Sequence, residues 1–180
     1  MNRNVRVVND EIFSTATQTV EAGNLGSTII IPHVCNNVRG FGSGFALSVL
    51  NKYPEVAQNF DMISKPTLGY VQYVPVLRAK LHNHSLVFAN MIAQNGIIGN
   101  KNPRPLNYEA LINCMVNVRT YINSTALDKV EIHCPKFGSG LAGGNWAFIS
   151  DLIDDIWKNI SVVVYNYPAQ KQASKYAQSY

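Results

Sequence analysis

Features that would assign the chain to several common classes of protein are scarce among its 180 residues. Its three cysteines are an odd number with no paired spacing, which argues against a disulfide framework and fits a reducing compartment. No apolar run approaches the roughly 20 residues of a membrane-spanning helix, and the start, MNRNVRVVNDE, lacks the apolar core of a signal peptide. We therefore expect a soluble protein of the cytoplasm with no membrane partner.

Charged side chains are also scarce, at 14% of residues, and fifteen Lys and Arg against eleven Asp and Glu leave a formal net charge of +4. This mild excess suits an anionic ligand without requiring nucleic acid. The last stretch, NYPAQKQASKYAQSY, adds only Lys171 and Lys175 to that footprint, which is too little to predict a nucleic-acid partner. It also has too few apolar residues to pack, so we expect one domain over residues 1–167 and a flexible tail over 168–180.

Hydrophobic patterning predicts strands that alternate with helices. Short β-branched or apolar runs predict strands at residues 5–8, 28–31, 69–77, 86–92, 129–134 and 161–165. Apolar residues at helical spacing predict helices just after residue 44, from Pro54 to about Phe60, and over about 108–123 and 145–158. This alternation is typical of an α/β fold with a mixed or parallel central sheet.

Two glycine-rich loops each follow a predicted strand and precede a predicted helix: GFGSG at 40–44 and GSGLAGG at 138–144. Ligands of open α/β sheets bind at the carboxyl ends of strands, where helix N-termini present free amides. Glycine lets the backbone approach phosphate oxygens closely, so the pair of loops predicts a diphosphate site. The alternative is that the glycines only permit tight turns. Neither loop has the Walker lysine spacing or G-x-G-x-x-G, which disfavours ordinary ATPase and dinucleotide folds.

The histidines and cysteines predict no metal centre and no cofactor. His33 ends a buried run, where a histidine is either a satisfied core group or a functional one. Cys35 shares a strand face with His33, but no activating geometry can be inferred, so a cysteine hydrolase is not favoured. His82 and His84 share a turn without a third ligand nearby.

Five segments in order resemble the macro domain family, whose members bind ADP-ribose. They are PHVCNNVRGFGSGFALSV (32–49), NMIAQNGI (90–97), RPLNYEAL (104–111), PKFGSGLAGGNW (135–146) and VVVY (162–165). The sequence looks most like the bacterial and phage branch described as Appr-1''-p processing proteins, related to yeast-type ADP-ribose 1''-phosphate phosphatases. The resemblance implies a three-layer α/β/α sandwich with a cleft across the strand ends, and a host cytoplasm if the protein is encoded by a phage.

At one end of that cleft, the resemblance implies an adenine site. The exocyclic amine of adenine would require a carboxylate just after the first strand, where this chain offers Asp10 or Glu11 in place of the usual Gly-Asp. Tyr165 or Tyr167, near the end of the last strand, would stack on the adenine ring. Packing at the sheet edge is the alternative for both tyrosines.

The resemblance also implies that the two glycine loops hold the diphosphate and the distal ribose from opposite sides. The residues in this role are Asn36, Asn37, Phe41, Gly42, Ser43, Gly44, Phe137, Gly138, Ser139, Gly140, Leu141 and Ala142. A carboxamide can donate and accept hydrogen bonds at once, so Asn36 and Asn37 suit ribose hydroxyls. Bracing the first loop is the alternative for both asparagines.

Two functions from different classes remain open. The first is a hydrolase that removes a distal-ribose group such as the 1''-phosphate, with His33 activating water or accepting the phosphoryl group and Gln94 orienting the water. The second is a binder that sequesters an ADP-ribose-derived nucleotide signal unchanged. Hydrolases acting on ADP-ribosylated glutamate carry a catalytic aspartate that would fall at Ala142, so their chemistry is not expected here.

Overall fold

The protein forms one mixed sheet of six strands in a computed structural model that describes residues 4–22, 27–78, 85–125 and 129–166. The strands are β1 (Val5–Val8), β2 (Ser27–Asn36), β3 (Val71–Arg78), β4 (Ser85–Gln94), β5 (Lys129–Pro135) and β6 (Ser161–Tyr165). Their order is β1-β6-β5-β2-β4-β3, and every neighbouring pair is parallel except β3 and β4.

Helices cover both faces of this sheet. They are α1 (Ile12–Glu21), α2 (Gly44–Lys52), α3 (Pro54–Asp61), α4 (Tyr108–Ser124) and α5 (Trp146–Ile156). Successive strand residues face opposite sides, so Ile29 and Ile31 pack with α1, α2 and α3, whereas Ile30 packs with α4 and α5. The predicted α/β sandwich with a mixed central sheet is confirmed. None of the helices in the described part of the chain is long and apolar enough to cross a membrane.

Helix α1 is absent from the sequence-based prediction. Its buried residues are Ile12, Phe13, Ala16 and Val20, a helical spacing that the sequence does contain. The start of the helix is stabilised by Glu11, whose carboxylate accepts hydrogen bonds from the backbone amides of Phe13 and Ser14. Three threonines and a serine lower the apolar content of this segment, which hides the pattern at a first inspection.

Strand β2 extends five residues beyond its predicted end. It lies between β5 and β4 and stays paired with β4 as far as Asn36, opposite Gln94. His33 therefore lies inside a central strand and not at its end. The turn that contains His82 and His84 lies outside the described residues, as does the predicted tail.

The topology brings both glycine loops to one edge of the sheet. β1, β6, β5, β2 and β4 run parallel, so their carboxyl ends meet at the same edge. The first glycine loop (residues 37–44) follows β2 and the second (residues 136–145) follows β5, the neighbour of β2. The first loop leads into α2 on one face of the sheet and the second into α5 on the other, so the gap between them lies across the strand ends.

Candidate functional site

The two glycine loops contact each other at the carboxyl edge of the sheet. A Cβ atom placed on Gly44 of the first loop would lie 3.4 Å from Cδ1 of Leu141 in the second. By contrast, a Cβ on Gly42 or Gly140 would meet no atom within 4 Å. Both loops thus present exposed backbone that a ligand can approach closely.

The helices that begin at these two loops differ in whether a side chain caps their N-terminal amides. Asn145 caps α5 by accepting hydrogen bonds from the amides of Ala147 and Phe148. At α2 the N-cap residue is Ser43, and its side chain makes no capping hydrogen bond within the described structure. Since uncapped amides and the helix dipole together attract anions, the N-terminus of α2 is a more favourable position for an anion than the N-terminus of α5.

Asn36 braces the first glycine loop. Its Nδ2 donates to the carbonyl of Gly40 at 2.7 Å, and its Oδ1 accepts from the amides of Gly40 and Val38 at 2.9 and 3.1 Å. Asn37 bridges to the loop after β4, since its Nδ2 donates to Asn95 and its Oδ1 accepts from the amide of Gly96. Both asparagines therefore brace loops, which was the alternative to a contact with the ribose.

Gln94 lies where β4 enters the loop of residues 95–107. Its Nε2 donates to the carbonyl of Gly96 at 3.2 Å. The same loop is tied to the second glycine loop, because the amide of Leu106 donates to the carbonyl of Ala142 at 3.1 Å. Gln94 and Ala142 thus belong to adjoining walls of the cleft.

Phe41 and Phe137 anchor the glycine loops instead of lining the cleft. Phe41 is 9% exposed and packs on Phe60 of α3, whereas Phe137 is 3% exposed and packs on Trp157 at the end of α5. Gly138 and Ala142 are also buried. The predicted loop residues that remain exposed or half-buried at this edge are Asn37, Gly42, Ser43, Gly44, Ser139, Gly140 and Leu141.

His33 is buried in the layer between the sheet and α1 to α3. Its Nε2 lies 2.6 Å from Oδ1 of Asn90 on the adjacent strand, and its ring meets the edges or faces of Phe41, Phe45 and Phe88 at 5.6 to 6.2 Å. Burial lowers the pKa of His33 to about 4, and the bond to Asn90 opposes that shift only in part. His33 is therefore a core histidine with a hydrogen-bond partner, which is one of the two alternatives that the sequence left open.

His33 and Gln94, the two predicted catalytic residues, are not brought together. His33 pairs with Asn90, whereas Gln94 pairs with Asn36, three residues further along β2. At about 3.3 Å per residue, this separation is about 10 Å along the strands.

A buried chain of polar side chains connects three strands, and sequence reasoning missed it. Asn90 donates through Nδ2 to Oε1 of Gln72 on β3 at 3.0 Å, which leaves its Oδ1 facing His33. Nε2 of His33 therefore carries the proton, and Nδ1 is the acceptor for the thiol of Cys35 at 3.8 Å. Burial raises the pKa of Cys35 well above its ordinary value, so the thiol stays neutral and is a poor nucleophile. The signal available in the sequence was Asn90, a polar residue inside the apolar run LVFANMI, which implies a buried hydrogen-bond partner.

The β1 end of the edge presents one free carboxylate. Glu11 is engaged in capping α1, whereas no residue in the described ranges donates a hydrogen bond to the exposed carboxylate of Asp10. Tyr165 is fully buried, and its hydroxyl lies 2.9 Å from Nδ1 of His133. The ring of Tyr165 has no exposed face on which a base could stack, so this tyrosine packs within the sheet layer. Tyr167 lies outside the described residues.

Charge is distributed unevenly along this edge. Asp10 and Glu11 follow β1, whereas the loops at 37–43, 62–70, 95–107 and 136–145 contain no carboxylate. The cations of those four loops are Arg39, Lys65, Lys101, Arg104 and Lys136. The edge is therefore electropositive beside β2, β4 and β5, where an anionic ligand would be favoured.

Comparison with known proteins shows the class of this fold. No family model matches the chain. An uncharacterized 17.5 kDa protein in the tk-vs intergenic region of Enterobacteria phage T4 is 26% identical over 143 residues, which cover 76% of this chain and 85% of the phage protein. A protein of unknown function from Bacteroides thetaiotaomicron has a TM-score of 0.68 and 30% identity, covering 89% of this chain and 96% of that one.

Two further solved structures are macrodomains or contain the same fold. The macrodomain protein from Streptomyces coelicolor has a TM-score of 0.65 and 27% identity, with coverage of 91% of this chain and 99% of that one. Thermosipho africanus DarTG in complex with ADP-ribose has a TM-score of 0.68 and 16% identity, covering 96% of this chain and 43% of that one. The chain has the macrodomain fold.

Proposed function

We propose that the protein binds ADP-ribose, or a derivative of it, between the two glycine loops. The observation that carries the proposal is the uncapped N-terminus of α2 at Ser43, which faces the second loop across the Gly44 and Leu141 contact. Its amides suit a diphosphate, and Gly42 and Gly140 leave room for the phosphate oxygens. The macrodomain fold supports the choice of nucleotide, since the Thermosipho protein with this fold holds ADP-ribose.

The polarity of the edge orients the nucleotide in this proposal. The adenine amine is placed at the β1 end, where Asp10 is a free acceptor, and the distal ribose at the β4 end beside Gln94. The cationic loops at that end, with Arg104 and Lys101 in residues 95–107, favour a ligand whose distal ribose carries a phosphate. Such a ligand belongs to the Appr-1''-p chemistry that the sequence resemblance implies.

Binding without turnover is the function that the geometry supports best. A phosphatase needs a general base or nucleophile within hydrogen-bond reach of the reacting group. His33 is 1% exposed, its Nε2 proton is held by Asn90, and its ring is covered by Phe41. We therefore favour the sequestering binder over the hydrolase.

ADP-ribose is expected to bind with roughly micromolar affinity, about 8 kcal/mol, and AMP much more weakly. The physical reason is that AMP lacks the second phosphate and the distal ribose, which the loops would contact. Isothermal titration calorimetry with both nucleotides measures the difference. Absence of saturation by ADP-ribose at about 1 mM would contradict the proposal.

A turnover assay on the same protein distinguishes a binder from a hydrolase. ADP-ribose 1''-phosphate incubated with a stoichiometric amount of protein should be recovered intact by chromatography. Release of phosphate would favour the hydrolase, and the His33→Gln variant would then show whether His33 takes part, because glutamine retains a donor toward Asn90 but is neither a base nor a nucleophile.

Asp10 and Glu11 are expected to respond in opposite ways to removal of their carboxylates. Glu11→Ala should lower the free energy of unfolding by about 1 kcal/mol, because α1 loses its N-cap, with little effect on nucleotide affinity. Asp10→Ala should leave stability within about 0.5 kcal/mol and weaken ADP-ribose binding about tenfold. Thermal denaturation and calorimetry on both variants check the pair, and loss of affinity in Glu11→Ala alone would assign the adenine contact to Glu11.

A further inference from the structure

A second cavity lies at the β3 end of the same edge, outside the cleft between the glycine loops. Its volume is about 560 Å³, within the range of small-molecule sites. Its walls come from the end of α3, the loop of residues 62–70 and the start of β3, with Asn59, Met62, Lys65, Tyr70 and Gln72 among the lining residues.

Hydrogen bonds hold the walls of this cavity in place. The Arg39 guanidinium donates to the carbonyls of Ile63 and Ser64 at 2.6 and 2.7 Å, and Arg39 itself has a φ of 62°, an unfavourable value for a side chain of its size. On the opposite side the Gln72 amide is fixed at both ends, by Asn90 Nδ2 and by the carbonyl of Asn59. The cavity is therefore preformed, and Arg39 joins its wall to the first glycine loop.

The exposed groups of the cavity combine apolar surface with one cation. Met62 and Tyr70 are large side chains that are 77% and 50% exposed, so the cavity wall presents apolar surface to solvent. Lys65 contributes an ammonium group, and no carboxylate of the described chain lies within ion-pairing distance of it. Asn59 adds an amide oxygen that accepts no hydrogen bond from the described residues. An aromatic face, a cation and an amide acceptor together suit a planar base that carries a phosphate.

We propose that this cavity binds a nucleotide group, with the base against Tyr70 and Met62 and the phosphate at Lys65. The proposal rests on the cavity alone and does not require ADP-ribose in the cleft. The nucleotide is either a free mononucleotide or one residue of a nucleic-acid strand, since both present the same base and phosphate. Through Arg39, the occupant would lie against the same loop that faces the cleft.

The test is a titration with uridine 5'-monophosphate, monitored by the backbone amide signals of the protein saturated with ADP-ribose. The amides of Thr67, Tyr70 and Gln72 should shift, with a dissociation constant of about 1 mM or tighter. Tyr70→Ala should weaken binding at least about fivefold through lost stacking, and Tyr70→Phe should retain it because the ring is preserved. Lys65→Gln should also weaken binding, whereas Lys129→Gln, at the opposite edge of the sheet, should not.

A 5'-phosphorylated strand of ten uridines separates the two sources of the nucleotide. Tighter binding of the strand, with a steep dependence on salt, would favour a nucleic-acid residue, and equal affinity per site would favour a free nucleotide. The proposal would be overturned if inorganic phosphate alone shifted the same amide signals equally. It would also be overturned if neither uridine 5'-monophosphate nor the strand shifted them. If ADP-ribose fails to bind, the same titration of the free protein still reports on this cavity, so the two proposals fail separately.

Discussion

Lowering the pH from 7 to 4 is expected to remove about 3 kcal/mol from the free energy of unfolding, because of His33 alone. The folded protein holds this imidazole neutral, with a pKa of about 4, because burial disfavours its charged form. In the unfolded chain the same group has its ordinary pKa near 6.5 and takes up a proton earlier.

The direction of this effect follows from proton binding. Between pH 6.5 and pH 4 the unfolded state binds more protons than the folded state, so acid favours unfolding over that window. Well above the unfolded-state pKa of about 6.5, His33 is unprotonated in both states and no longer affects the free energy of unfolding. Burial also lowers the pKa of His133, which adds to the loss in the same direction.

Urea denaturation at several pH values, on the wild type and on His33→Gln, measures the contribution of His33. Glutamine places an amide donor near the position of Nε2, so the bond to Asn90 Oδ1 is retained while the titrating group is removed. The variant should be less stable at pH 7 because the ring contacts with Phe41 and Phe88 are lost, but its stability should depend less steeply on pH below 6.5. Equal pH dependence in both proteins would show that folding does not lower the pKa of His33.

Gly140→Val is expected to weaken ADP-ribose binding by at least about a hundredfold, or 2.7 kcal/mol, while the protein remains folded. A Cβ added at this position would meet no atom within 4 Å, so the fold tolerates a side chain there, but that side chain would occupy the space proposed for the diphosphate. Gly42→Val makes the same test on the first loop. Calorimetry gives the affinity, and thermal denaturation confirms that stability is unchanged.

Gly99→Val is a comparison variant in the loop after β4, where an added Cβ would also meet no atom within 4 Å. It should leave stability near the wild-type value and should weaken binding much less than Gly140→Val, because Gly99 lies outside the two glycine loops. Gly44→Val is a less direct test, since Gly44 has a φ of 56° and valine would strain the backbone as well. Normal binding by Gly42→Val and Gly140→Val would place the diphosphate elsewhere.

The local pattern of the sequence was enough to determine the α/β class and the position of both glycine loops. Runs such as TIII and SVVVY form strands, and the loops follow two strands that prove to be neighbours, β2 and β5. These features depend on residues close together in the chain, where β-branched side chains and glycines limit the backbone directly. α1 was missed because its four buried residues lie among threonines and a serine.

Only the tertiary structure decided what the polar side chains do. His33 has its partner Asn90 57 residues away, and Tyr165 has His133 32 residues away, so no local pattern could show that both are satisfied in the core. Asn36 resembles a ligand contact in the sequence, but its amide closes the first glycine loop on Gly40. The physical reason is that burying a polar group requires a hydrogen-bond partner, and the fold determines which distant residue supplies it.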